Sequence, residues 1–119
     1  MPNPTSTETV KMMKLMMTAA SAALLLLSGA ASANDSAQSM ALAQKNACLS
    51  CHGVDKKIVG PAFKEVAKKY AGDKTAKDKL VAKVKAGGKG VWGQIPMPPN
   101  PGVKPEDAEK IVEWVLSLK

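Results

Sequence analysis

The pentapeptide Cys48-Leu49-Ser50-Cys51-His52 contains both cysteines and the only histidine of the 119-residue chain. Residues three positions apart lie side by side on a helical turn, so the two thiols can reach the two vinyl groups on one edge of a porphyrin. The imidazole of His52 then lies over the ring and can bind iron from one face. This C-x-x-C-H spacing is typical of covalent haem attachment. We therefore predict one haem, bound through Cys48 and Cys51.

Three other uses of the cysteine pair compete with haem attachment. A disulfide between Cys48 and Cys51 would close a very short loop and would stabilise the fold little. A thioredoxin-like redox pair normally follows a strand in a βαβ unit, whereas residues 36–47 have a helical pattern. A zinc site needs four ligands and usually more cysteines or histidines than this chain contains. The motif favours haem over all three.

A second iron ligand can be sought by elimination. A second histidine does not exist, and five of the seven methionines precede residue 18, in the N-terminal leader. Met40 is too near Cys48 on the same predicted helix to cross to the opposite haem face. Met97 remains, and the prolines on both sides of it stiffen its backbone, although a methionine in such a loop can also simply fill a gap in the core. We predict that His52 and Met97 bind the iron, a pair that raises the reduction potential of electron-transfer haems.

Residues 1–33 have the pattern of a secretory signal peptide. Two lysines precede an apolar stretch at residues 15–27, and Ala31-Ser32-Ala33 matches an A-x-A cleavage site. The apolar stretch is too short to span a bilayer comfortably, although an uncleaved membrane anchor is the alternative. The predicted organisation is a cleaved signal at 1–33 and one secreted domain at 34–119.

The predicted domain is basic, with 15 lysines, no arginine and nine acidic residues, for a formal charge of +6. Such a surplus can indicate nucleic-acid binding. The lysines are spread along the domain, however, and a secreted protein rarely meets DNA, so we predict no nucleic-acid partner. The lysines either solvate the surface or steer the protein toward an acidic redox partner.

Hydrophobic periodicity predicts an all-α domain of about four short helices. In chain order they are Ser36 to Asn46, Pro61 to Tyr70, a helix that follows Asp73 or Thr75 and runs to about Ala86, and a last one from Pro105. The haem motif is predicted on the last turn of the first helix. The last helix has an apolar stripe at Ala108, Ile111, Val112, Val115 and Leu116. We find no strand signal, so residues 91–104, which include Met97, are predicted to form a loop.

These features resemble the small bacterial class I cytochromes c of the cytochrome c-551/c-552 group. The resemblance runs from about Met40 to the C-terminus. Its marks are Cys48 to His52, Val59-Gly60-Pro61-Ala62-Phe63, Gly90-Val91-Trp92-Gly93 and Ile95-Pro96-Met97-Pro98-Pro99. It implies the class I cytochrome c fold around one haem c. It also implies a monomeric periplasmic one-electron carrier that is not an enzyme, with a quinol-oxidising bc complex as donor and a terminal oxidase, nitrite reductase or peroxidase as acceptor.

The resemblance also implies roles for three further residues. The carbonyl of Pro61 would accept the second ring N–H of His52 and fix its tautomer. Trp92 would donate its indole N–H to a haem propionate, with simple loop packing as the alternative. Asn100 would form a hydrogen bond near the Met97 sulfur, with a turn residue as the alternative.

The chain departs from this group at two positions. Lys83 stands where some relatives place an arginine beside the propionates, and lysine lacks the planar fork of arginine. Lys104 stands where relatives often have a capping Ser or Asp, so the start of the last helix is expected to fray. Met40 and Trp114 match the place where the first and last helices cross, and both are predicted to be core residues.

Two other functions remain open at this point. A peroxidase or gas-binding haem protein would have Met97 away from the iron and would bind CO readily in the ferrous form. The chain could also be a subunit or a haem module of a larger complex.

Overall fold

The computed structural model describes residues 35–119, which form four helices, one 3-10 turn and a two-stranded sheet. In chain order these are α1 at residues 35–45, the 3-10 turn Cys48–Ser50, α2 at Phe63–Lys69, α3 at Ala76–Ala86, β1 at Gly88–Gly90, β2 at Gly93–Met97 and α4 at Pro105–Ser117. The predicted four-helix architecture is confirmed. The predicted signal peptide lies outside the described residues. Within residues 35–119, no helix has the length and apolarity needed to cross a membrane.

The core forms where α1, α2 and α4 meet. Phe63 and Val66 of α2 pack with Ala43 of α1 and with the apolar face of α4. Four members of the predicted α4 stripe are buried, namely Ala108, Ile111, Val112 and Val115, and Trp114 is buried beside them. Pro105 begins α4 as predicted, because its missing N–H is no loss in the first turn. Lys104 occupies the N-cap position without a side-chain hydrogen bond.

The inward face of α1 differs from the prediction by one residue. Met40 is 38% exposed, whereas Ser39 is 8% exposed and Ala43 is fully buried. Ser39 and Ala43 are four positions apart and therefore share one helix face. The expectation that Met40 is a core residue was wrong, because the residue buried with Ala43 is Ser39, four positions before it, and not Met40, three positions before it.

The haem motif does not continue α1, contrary to the prediction. The backbone and side-chain amides of Asn46 both donate to the Leu42 carbonyl, at 3.1 and 2.9 Å, and close the helix. Ala47 then adopts φ 60°, a left-handed conformation, and the chain turns into the separate 3-10 turn of Cys48–Ser50. The motif therefore has an orientation of its own, independent of the α1 axis.

Helix α2 begins two residues later than predicted. Ala62 is its N-cap, and Pro61 lies before it. The carbonyl of Pro61 bonds to His52 instead of taking part in the helix. Helix α3 begins after Thr75 and ends at Ala86, in agreement with the prediction.

The segment around Met97 contains a β-hairpin that the sequence analysis missed. Strands β1 and β2 pair antiparallel, with Gly88 opposite Met97 and Gly90 opposite Gly93. Both strands are exposed except at Met97, which is partly buried. A strand of glycine and lysine has no alternation of apolar and polar residues, which is why no strand signal was visible. The hairpin brings Met97 back beside the end of α3.

Candidate functional site

One cavity of about 380 Å³ brings the haem motif and the hairpin together. Cys48, Cys51 and His52 contribute to its lining, and so does Met97. The remaining lining is largely apolar and includes Phe63, Val66, Leu80, Val84, Ile111, Val112 and Val115. An apolar cavity of this size with a few convergent polar groups is typical of a cofactor site.

The ring of His52 is fixed on two sides. Its Nδ1 lies 2.8 Å from the Pro61 carbonyl oxygen. Because a carbonyl can only accept, Nδ1 donates its hydrogen, and in the neutral imidazole Nε2 is then the nitrogen able to bind a metal. The Phe63 ring stacks on the imidazole, with centroids 5.1 Å apart and planes 19° apart. Phe63 in turn meets Trp114 edge to face, at 5.6 Å.

Gly60 allows this close packing of the imidazole. A Cβ atom at this position would lie 2.6 Å from Cε1 and 2.9 Å from Nδ1 of His52. The amides of Val59 and Gly60 both donate to the Cys51 carbonyl, at 3.0 and 2.8 Å, and hold the loop against the motif. The sequence analysis assigned Gly60 no role, although a glycine directly before Pro61 was a signal of close backbone approach.

The two cysteines are half-buried and line the same cavity. The 3-10 turn brings them together, because the Cys51 amide donates to the Cys48 carbonyl at 3.2 Å. Burial raises the pKa of the Cys48 thiol, and a weaker backbone hydrogen bond opposes this. The described part of the chain contains no group of three His, Cys, Asp or Glu side chains that could hold a metal ion. Two thiols, an imidazole with a free Nε2 and a methionine thioether in one apolar cavity fit a covalently bound haem.

Met97 is positioned by contacts between its loop and the C-terminal end of α3. Gly87, at φ 69°, approaches so closely that a Cβ there would lie 2.5 Å from the Met97 carbonyl oxygen. The Asn100 amide donates to the Val84 carbonyl at 3.0 Å, and its side chain donates to the carbonyls of Val84 and Pro98 at 3.3 and 3.0 Å. Asn100 therefore anchors the loop, a role that the sequence analysis missed. Its hydrogen bond near the Met97 sulfur stays a prediction.

Trp92 and Lys83 also line the cavity. Trp92 is 41% exposed and lies in the turn between β1 and β2. The ammonium of Lys69, the last residue of α2, lies 5.4 Å from the centroid of the Trp92 ring. The ammonium of Lys83 lies over Gly88, where a Cβ atom would come within 2.5 Å of it. Contacts of Trp92 and Lys83 with a propionate stay predictions.

Comparison with known proteins identifies the family. A family model for cytochrome c matches residues 36–119. Cytochrome c-551 of Allochromatium vinosum is 57% identical over 79 residues, which is 66% of this chain and 84% of that protein. Cytochrome c-552 of Nitrosomonas europaea is 53% identical over 78 residues, or 66% of this chain and 76% of that one.

Solved structures give the same result for the fold. The crystal structure of wild-type Nitrosomonas europaea cytochrome c552 aligns with a TM-score of 0.65 and 51% identity, and covers 67% of this chain and 99% of that one. The class 1 cytochrome MtoD of Sideroxydans lithotrophicus ES-1 aligns at 0.57 and 36% identity, and covers 66% and 90%. With its two cysteines in the C-x-x-C-H spacing, the chain carries one haem c and is an electron carrier, and it belongs to the cytochrome c family.

Proposed function

We propose that the chain is a periplasmic carrier whose haem iron is bound by His52 and Met97. It is exported by residues 1–33, which are cleaved, and the domain at 34–119 works as a monomer without enzymatic activity. It takes one electron from a quinol-oxidising bc complex and delivers it to a terminal oxidase, a nitrite reductase or a peroxidase. The observation that carries the proposal is the convergence of Cys48, Cys51, His52 and Met97 on one apolar cavity.

A bound haem supplies a one-electron couple between ferric and ferrous iron. The hydrogen bond from His52 to Pro61 presents Nε2 to the metal in a fixed orientation. The anchors on α3 hold the Met97 loop beside the same cavity. Both His52 and Met97 would bind the iron of a haem in this cavity, and this would leave no ligand position for a substrate, which supports a carrier rather than an enzyme.

The charges at the cavity support docking of an acidic partner. Lys57, Lys83 and Lys89 line the cavity, together with two acidic residues. Both of those acids are paired with α2 lysines: Asp55 with Lys64 at 2.6 Å, and Glu65 with Lys68 at 3.3 Å. The exposed acids of α4 lie elsewhere, at Glu106, Glu109 and Glu113. The uneven charge favours steering of negatively charged partners toward the cavity, for brief encounters at low salt.

The axial ligands are tested by spectroscopy of the holoprotein, expressed with a haem-maturation system. We expect a low-spin spectrum, the weak far-red band of methionine bound to ferric iron, and no CO binding by the ferrous form at neutral pH. A high-spin spectrum or rapid CO binding would instead mean an open coordination position, and would favour a gas-binding or peroxidase function.

Replacement of Met97 sharpens the test. Met97→Ala should keep the covalent haem, lower the reduction potential and allow CO to occupy the iron fully. Met40→Ala is the matched control, because Met40 is an exposed α1 methionine outside the cavity lining. If the two variants have the same potential as the wild type, Met97 is not the ligand.

Docking and export have separate tests. Lys89→Glu should slow electron transfer with an acidic partner at low salt, and the effect should fade as salt screens the charge. Lys110→Glu makes the same charge change on α4 and should have little effect.

The mature protein from the periplasm should begin at Asn34 by N-terminal sequencing, whereas a retained leader would contradict the predicted cleavage.

A further inference from the structure

We propose that Lys69 is a positioning residue for Trp92. Its ammonium, lying over the indole ring, holds Trp92 in the lining of the haem cavity and thereby raises the reduction potential. The inference rests on the proposed carrier function and on the placement of Trp92 beside the haem.

The contact has the geometry of a cation–π interaction. The Lys69 Nζ lies 5.4 Å from the centroid of the Trp92 ring, within the separation of about 6 Å at which the ring quadrupole attracts a cation. Trp is the most favourable partner for such a contact. The contact joins the end of α2 to the turn of the β-hairpin, two elements that line different parts of the cavity.

Lys69 is available for the contact with Trp92 because Glu65, the acid expected to pair with it on α2, pairs with another lysine. A lysine on a helix usually pairs with an acid four residues before it, which for Lys69 is Glu65. Glu65 instead pairs with Lys68, at 3.3 Å. Among residues 35–119, no ion pair involves Lys69. A cation is also favoured at the C-terminal end of a helix, so the position of Lys69 suits its charge.

The hairpin needs an external contact to fix Trp92. All of β1 and most of β2 are exposed, so little packing holds the turn. Gly88, Gly90 and Gly93 have positive φ angles and no side chain that could pack. Trp92 is therefore restrained mainly by what its indole contacts. A hold on Trp92 also restrains the strand that ends at Met97.

The ammonium has a second effect through its charge. Oxidation adds one positive charge to the haem, and a cation held against a ring that lines the haem cavity disfavours that addition. Lys69 therefore favours the reduced state through its charge, and also indirectly by restraining Trp92. A contact that only stabilised the fold would leave the potential unchanged.

The experiment compares three variants of the full holoprotein: Lys69→Gln, Lys69→Arg and, as a control, Lys74→Gln. Lys74 is an exposed lysine outside the cavity lining. We expect Lys69→Gln to accelerate hydrogen exchange of the Trp92 indole N–H by about two- to fivefold, as loss of an exposed cation–π contact predicts, and to lower the potential. Arginine stacks on aromatic rings, so Lys69→Arg should preserve both values, and Lys74→Gln should change neither.

The outcomes separate this inference from the proposed function. If Lys69→Gln leaves indole exchange unchanged, or if Lys74→Gln lowers the potential equally, the positioning role is wrong and only net charge matters. If the wild type binds CO, the proposed axial ligands are wrong instead, while the indole exchange still reports the contact between Lys69 and Trp92.

Discussion

The two predicted iron ligands are supported by very different surroundings. His52 is held by a hydrogen bond to Pro61, by stacking on Phe63 and by the close backbone of Gly60. Met97 lies at the end of an exposed hairpin, and its loop is anchored at one side through Asn100 and Gly87. The residues around His52 are packed with the core, whereas the loop that carries Met97 contacts the rest of the domain at only a few points.

Because of this difference, substitutions beside His52 and substitutions beside Met97 should affect different properties of the protein. A change beside His52 cannot be absorbed without disturbing close-packed atoms, so it should lower the free energy of unfolding. A change beside Met97 can be absorbed by movement of the exposed loop. It should therefore alter the ligand geometry, and with it the reduction potential, more than it alters stability.

The largest effect is expected from Gly60→Ala. The new Cβ would lie 2.6 Å from Cε1 of His52, whose ring is held by its hydrogen bond to Pro61 and by stacking on Phe63. We expect a loss of about 1–3 kcal/mol in the free energy of unfolding, as for overpacking of a core, measured by denaturant titration.

The control for that substitution is Gly102→Ala, since a Cβ there would meet no atom within 4 Å. It should leave stability nearly unchanged. Equal losses in the two variants would show that the packing around His52 is not special, and the comparison between the two sides would fail.

The methionine side is tested by Gly87→Ala. Its Cβ would lie 2.5 Å from the Met97 carbonyl oxygen, in a residue at φ 69°. The left-handed conformation should lower the free energy of unfolding by about 1–2 kcal/mol. The displaced loop should weaken the far-red methionine band and lower the reduction potential.

Gly72→Ala is the matched control, because Gly72 has φ 79° and no atom within 4 Å of the added Cβ. It should lose similar stability but keep the band. A band that weakens equally in both variants would contradict the contact at Met97.

A smaller effect is expected at the entry to the haem motif. Ala47 adopts φ 60°, which is unfavourable for any residue with a Cβ atom. Ala47→Gly should raise the free energy of unfolding by up to about 1 kcal/mol, since relief of strain outweighs the greater chain entropy of glycine. Ala41→Gly on the exposed side of α1 should lower it by about 1 kcal/mol. Loss of stability in both variants would mean that Ala47 is not strained.

The smallest effect lies away from both ligands, at Asp73. The hydroxyl and amide of Thr75 donate to its carboxylate at 2.7 and 2.8 Å, and together with Lys79 they lower its pKa to about 2. Because the folded pKa is below the ordinary value of 3.8, the stabilisation is present above pH 4 and is lost as the pH falls toward 2. Asp73→Asn should therefore be less stable than the wild type at pH 5, and this difference should shrink by pH 2. The reduction potential should not change. A shift in the potential would mean that a substitution away from both ligands still affects the haem.

Local chemistry made much of this site predictable from the sequence. The C-x-x-C-H spacing, the prolines around Met97 and the apolar stripe of α4 act over a few residues, and so their consequences can be recognised without a fold. Strand β1 is Gly-Lys-Gly and has no apolar residue, so the hairpin that contains Met97 was missed. The role of Asn100 depends on the Val84 carbonyl, which is 16 residues away in the chain, and no local pattern encodes it. A glycine before Pro61 was a local signal of close backbone approach, but it did not identify His52 as the group that approaches. Met40 was misplaced because positions three and four residues before Ala43 lie on nearly the same side of the helix, and the periodicity did not show that Ser39 is the buried one.

The contact of His52 with Phe63, and of Phe63 with Trp114, sets a lower limit on the size of this domain. The three rings come from the haem motif, from α2 and from α4 at Pro105–Ser117. A shortened chain that ends after Met97 would keep every predicted haem-binding group except Asn100, yet it would lose Trp114, which packs edge to face on the Phe63 ring behind the imidazole. Miniaturisation of this protein must therefore remove residues from its loops and not from its C-terminal helix.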